Sequence, residues 1–269
     1  MKLSATHLID MGKRAPDNNP VIAETTEWAT SVFGDHDFSE TPLLSIAGSV
    51  ANRTNVDLSD IDISMKLPPQ YDPDNTFVRW GNLRDELTQA LHHTGHDYTT
   101  ENKCLRVRRM GATVLDVLPC IETTDGDMRA VEFWAKDDRG SLHHVRSFPS
   151  AHVRNTDAKD ERTGGAYREV IRAVKHARAA LIKEAMIRPE DAPAYFLECL
   201  LYNVPDAVFD DLDSATLRKV ILTELRDAGH HNNPVTVNER DVVFGDTLWQ
   251  WNLEDKDRFI ARLLDDMTP

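Results

Sequence analysis

Hydrophobic and polar positions fall into two regimes along this chain. Up to about residue 145 the apolar residues come mostly in short β-branched runs bounded by Gly, Pro and charged clusters, which predicts strands. From Pro149 onward they recur at threes and fours, which predicts helices. In the first regime residues 43–47 read as a strand, Gly48-Ser49 as a turn, and residues 58–65 as a second strand after a polar connector. Pro68, Pro69 and Pro73 break the chain, and Trp80, Leu83, Leu87 and Leu91 then place a helix at about 77–93. Residues 103–109 and 112–118 predict a hairpin turned at Met110-Gly111, and residues 131–135 and 141–145 a second hairpin closing the sheet.

Ahead of the sheet, Leu3, Leu8, Ile9 and Met11 suit a short docking helix. Asn19-Pro20 starts another helix, with Asn as cap and a stripe of Val21, Ile22, Trp28, Val32 and Phe33 ending near Gly34. Behind the sheet, residues 166–185 form the strongest helical pattern, with Val170, Ile171, Val174, Ala177, Leu181 and Ile182 on one side. Helices follow from Pro193 to about Leu201, after a Ser214 cap with Leu217, Val220, Ile221, Leu222 and Leu225, and over 255–264, with Trp249 and Trp251 packed beneath the last. The expectation is an α+β protein of two lobes, a mixed sheet over 1–150 and a helical lobe over 151–269.

Candidate chemistry concentrates in the sheet. Asp60 and Asp62 are two apart on a strand and share one face, with Ile61, Ile63 and Met65 on the other. Two carboxylates held that close repel unless a cation sits between them, which suits a divalent metal; the alternative is a solvated strand edge. Gly48 lets a backbone approach a ligand closely, and the Ser49 hydroxyl with neighbouring N–H groups suits a phosphate. Asp116 stands alone in the apolar run 111–119, where a buried carboxylate needs a partner such as that same cation. Arg106 and Arg108 share a strand face, as a phosphate contact or a solvated edge.

Composition narrows the classes. The chain has 269 residues, 41% hydrophobic and 28% charged, ordinary for a globular protein. No run approaches the ~18 apolar residues of a membrane span, and the N-terminus has no signal-peptide h-region. A net charge of −14 argues against broad nucleic-acid binding. Three widely spaced cysteines indicate neither a disulfide framework nor a zinc ribbon, and point to the cytoplasm. His92, His93, His96, His143, His144, His230 and His231 lack zinc-like spacing and read as surface residues. Dinucleotide, P-loop and serine-hydrolase motifs are absent from the sequence.

Gly48-Ser49, ten residues, Asp60-Ile61-Asp62, then Asp116 within Leu-Asp-Val-Leu-Pro resembles the signature of polymerase-β-like nucleotidyltransferases. The stretches 148–152, 167–175 and 194–198 are similar to one branch, the bacterial cGAS/DncV-like nucleotidyltransferases or CD-NTases. The resemblance implies a two-lobed polymerase-β-like core and transfer of nucleotides from nucleoside triphosphates such as ATP or GTP. Asp60, Asp62 and Asp116 would bind Mg²⁺ or Mn²⁺, and Gly48, Ser49 and Lys175 the phosphates. Tyr195 matches the aromatic on which a donor base stacks; Ala194 departs from the serine usual before it. The implied product is a cyclic oligonucleotide messenger in antiphage defence, with an unknown activator protein as a further partner. Two rivals stand beside it: a nucleotidyltransferase that modifies a protein, small molecule or RNA end, and a catalytically silent nucleotide-binding module.

Overall fold

The computed structural model describes residues 3–56, 59–70, 75–108, 114–210, 213, 217, 220–247 and 249–268. The chain divides into two compact units, one comprising Pro16–Asn52 with Asp57–Ala151, the other Met1–Ala15, Arg53–Val56 and His152–Pro269. The sequence boundary near 150 is close to one crossing. The N-terminal helix, expected with the sheet, is part of the helical unit instead.

The sheet unit is built on β2 (Leu43–Ala47), β3 (Ile61–Leu67), β4 (Tyr98–Thr100), β5 (Leu105–Arg108), β6 (Val114–Asp125), β7 (Met128–Lys136) and β8 (Leu142–Ser147). The strand order is β2-β3-β6-β5-β4, with β7 pairing the far end of β6 and β8 pairing β7. Only β3 and β6 run parallel; the other pairs in this sheet are antiparallel, so the sheet is mixed. Both expected hairpins form, although residues 109–113, and with them Met110-Gly111, lie outside the described residues. β6 outruns its expected end at 118 because Pro119 lies beyond the stretch that pairs with β5, where a missing N–H breaks no bond to that strand.

One sheet face is covered by α2 (Asn18–Phe33) and α4 (Thr76–His93). The α4 stripe Trp80, Leu83, Leu87 and Leu91 meets Ile61, Ile63 and Met65 of β3, Leu115 and Val117 of β6, and Trp28, Val32 and Phe33 of α2. The Trp80 indole N–H donates to the Pro119 carbonyl at 3.0 Å, so the buried ring keeps a partner. The expected Gly48-Ser49 turn is instead the start of a short helix, α3 (Gly48–Asn52). Five residues are too few for helical periodicity to register.

The helical unit centres on α6 (Ala166–Lys183). Its buried face, with Val170, Ile171, Val174, Ala177 and Leu181, shares a core with α1 (Ala5–Lys13), α7 (Ala194–Tyr202) and α8 (Leu253–Asp266). Gly12 presses α1 onto α6: a Cβ there would lie 2.3 Å from the Glu169 carbonyl oxygen. A two-residue parallel pairing of β1 (Leu3–Ser4) with β9 (Met267–Thr268) joins the termini. Before α6, α5 spans Pro149–Arg162. The third expected helix is π-helical over Val220–Leu225, and its Ser214 cap lies outside the described residues. Trp251 is buried and donates its indole N–H to the Asp191 carbonyl, whereas Trp249 is exposed, so only one of the two expected tryptophans packs inward.

Candidate active site

Register assembles the acids. On β3 the apolar set Ile61, Ile63 and Met65 faces the core, which turns Asp62 to the opposite face. Asp62 pairs directly with Asp116 of β6, and Asp116 with Arg106 of β5, so all three lie in one row across the sheet. Ala47 of β2 ends that row opposite Asp62 and delivers the chain to Gly48. Gly48 has φ +58°, and a Cβ on it would fall 1.9 Å from Asp62 Oδ2. The Asp62 carboxylate therefore lies against bare backbone, a contact that any other residue at 48 would displace. Gly48, Ser49, Asp60, Asp62 and Asp116 belong to one unit; Asp62 and Asp116 lie in this row and Gly48 lies against it.

Asp60 precedes β3 and reaches the row through Arg106. The Arg106 guanidinium donates from Nε and Nη2 to the two carboxylate oxygens of Asp116 at 2.8 and 2.7 Å, and from Nη2 to Asp60 Oδ2 at 3.1 Å. Burial pushes the Asp60 carboxyl above its ordinary range; Arg106 opposes the shift and the Asp116 charge adds to it. Hydrogen bonding to Asp116 raises Arg106 in turn. Burial, reinforced by the Asp116 charge, pushes the nearby Cys104 thiol up to about 12, so it is an inert neighbour. Sequence spacing placed Arg106 on a strand face without its partner.

Carboxylate oxygens are the donor class that a hard divalent ion takes. The in-register Asp116 carboxylate and the neighbouring Asp60, whose pKa burial raises, have already drawn in a cation, the Arg106 guanidinium. Among the described residues no three His, Cys, Asp or Glu side chains converge closely enough to hold a metal ion; the guanidinium joins Asp60 and Asp116 instead.

Lys175 and Tyr195 belong to the helical unit. Lys175 is buried, not an exposed helix lysine. Its amine donates to the Thr54 carbonyl and hydroxyl at 3.0 and 3.2 Å and pairs with Glu198. Glu198 also accepts from the Thr54 hydroxyl at 2.8 Å and contacts His152 Nε2 at 3.2 Å. Burial opposes ionisation there, but the Lys175 ammonium and His152 outweigh it and hold the Glu198 carboxyl down to about 2. Arg172, one turn before Lys175, donates to the Gly12 and Arg53 carbonyls. Tyr195 is 39% exposed, and its ring is backed by His152 and Phe196 at 5.5 and 5.3 Å. Sequence reasoning missed Glu198, His152 and Thr54. Glu198 and His152 lay within stretches carrying the branch resemblance, but no periodicity marks a buried ion pair.

Comparison with known proteins decides the family. The profile of the cGAS/DncV-like nucleotidyltransferase C-terminal helical domain matches residues 154–268. A cyclic UMP-AMP synthase from Rhodothermus marinus is 30% identical over 262 residues, covering 84% of each chain. The chain belongs to the cGAS/DncV-like nucleotidyltransferases. As a CD-NTase it is a nucleotidyltransferase of α+β fold. The solved R. marinus CdnE c-UMP-AMP synthase with Apcpp and Upnpp superposes with a TM-score of 0.77 at 23% identity, covering 97% of this chain and 95% of that one. Elizabethkingia meningoseptica CdnE, a cyclic dinucleotide synthase solved with GTP and Apcpp, also scores 0.77 at 24% identity, covering 98% of each. No helix among the described residues is long and apolar enough to cross a membrane.

Proposed function

We propose that this CD-NTase joins nucleoside triphosphates into a cyclic oligonucleotide, with Asp60, Asp62 and Asp116 as the metal-holding and catalytic acids. In each step a ribose hydroxyl of one nucleotide attacks the α-phosphorus of another, a new P–O bond forms, and pyrophosphate leaves with the bond to the β-phosphate oxygen. The observation carrying this reading is the in-register Asp62–Asp116 pair, with Asp62 lying against the bare backbone of Gly48. Mg²⁺ or Mn²⁺ held by the acids would polarise the α-phosphate, lower the pKa of the attacking hydroxyl and neutralise the leaving group. Gly48 and Ser49 hold the β- and γ-phosphates. Lys175 acts in phosphate binding, or behind it by steadying Thr54, five residues past Ser49. Tyr195 offers an exposed ring for base stacking. The relatives' names support a cyclic product, and a signalling role in antiphage defence is what the family resemblance implies for it. Cys104, Cys120 and Cys199 are free and buried, which supports a reducing cytoplasm.

The test is incubation with labelled ATP, GTP, CTP and UTP in Mg²⁺ or Mn²⁺, beside the double variant Asp60→Ala, Asp62→Ala. A phosphatase-resistant product resolved by mass, and absent from the variant, is expected. Label on protein or RNA would instead identify a different transferase, and tight nucleotide binding with no turnover in either metal a silent module.

A further inference from the structure

The row Asp62–Asp116–Arg106 puts a permanent cation beside the acids that Mg²⁺ or Mn²⁺ must use. Arg106 engages both oxygens of Asp116 in a fork and shares Nη2 with Asp60. Such bidentate contact takes the lone pairs that are most accessible on a carboxylate, and a second cation cannot take them at the same time. Asp116 has little other solvation, its side chain being 11% exposed, whereas the Arg106 side chain is 36% exposed and has water to move into. The strand register anchors the arginine backbone, and four rotatable side-chain bonds separate that anchor from the guanidinium.

We propose that Arg106 is the resident counter-cation of the nucleotide-free site, and that divalent metal enters by exchanging with it. This inference rests on the reading of Asp60, Asp62 and Asp116 as metal ligands. In the metal-free state Arg106 keeps mutually repelling carboxylates together and neutralises part of their charge. When metal is bound the guanidinium leaves Asp116, so Arg106 and the ion compete for one set of oxygens.

The test is titration of nucleotide-free protein with Mn²⁺, reading free Mn²⁺ by electron paramagnetic resonance and thermal stability in parallel. Arg106→Ala should bind Mn²⁺ about tenfold more tightly than the parent, because the charge-assisted competitor is gone. The same variant should melt lower without metal and recover when Mn²⁺ is added. Arg106→Lys keeps a point charge without the fork and should fall between the two. Unchanged or weaker Mn²⁺ affinity in Arg106→Ala, with the fold retained, overturns the exchange and makes Arg106 a strut that orients Asp116. Asp116→Asn separates failure of the exchange from failure of the metal site. Loss of Mn²⁺ binding there keeps the metal site standing whatever Arg106 does, while parent-like binding removes the metal site and the exchange with it.

Discussion

At the scale of single residues, chemistry at this site depends on an absent side chain as much as on those present. Gly48 combines a left-handed backbone with a carboxylate where its Cβ would be. Gly48→Ala should therefore displace the Asp62 carboxylate and lower turnover by about 100-fold or more, the penalty of an ångström-scale misplacement. The accompanying stability loss should be only about 1–3 kcal/mol, from the strained φ; turnover and thermal melting separate the two. Glu198 makes the opposite demand, a charge kept in a dry interior by Lys175 and His152. Replacing it with Gln strands the Lys175 ammonium and should cost about 3–5 kcal/mol. Because the folded carboxyl is held below its ordinary value of 4.5, near 2, the unfolded chain binds the extra proton between those limits. The parent should lose this contribution as pH falls from about 4.5 to about 2, and Glu198→Gln should flatten that part of its stability–pH curve. Denaturant titrations at a series of pH values read both effects. The acids were legible from strand alternation, whereas Glu198 and Arg106 acquire meaning only from partners 23 and 10 residues away.

At the scale of elements, long apolar stripes were the reliable signal. α4 and α6 lie where Trp80–Leu91 and Val170–Leu181 place them, since burial of one face repeats over several turns. α3 has no such repeat, and its sequence shows only the Gly-Ser that also suits a turn. The seating of α1 on α6 turns on Gly12, whose Cα approaches the Glu169 carbonyl too closely for a side chain. Gly12→Leu should push the two helices apart and cost about 1–3 kcal/mol, seen as a lower melting midpoint. Nucleotide-free Mn²⁺ binding, which on the proposed reading uses acids of the other unit, should be unchanged.

At the scale of the whole molecule, neither unit is one continuous piece of chain. The polypeptide crosses between them after Ala15, Asn52, Val56 and Ala151. Residues 152–269 expressed alone would lack α1 and the Thr54 segment, leaving part of the apolar face of α6 uncovered and Lys175 and Arg172 short of partners. That fragment is expected to be aggregation-prone or loosely packed, with poorly dispersed amide resonances. A version with residues 1–15 joined to its N-terminus should be better dispersed. A fragment 152–269 that folds cooperatively by itself would show that α1 is dispensable to this core.

The sequence by itself determined most of the local layout: the long helices and the main strands, the strand face that carries Asp62, and the chemical class of the acids. Those follow from periodicities of two and of three to four residues, set by backbone geometry and by the need to bury one face. Tertiary structure alone decided that Asp116 stands in register between Asp62 and Arg106. It also decided that Lys175 is buried against Thr54 and Glu198, and that the first helix joins the second unit. Pairing register and buried charge depend on groups far apart in the chain, and desolvation leaves no period along a sequence.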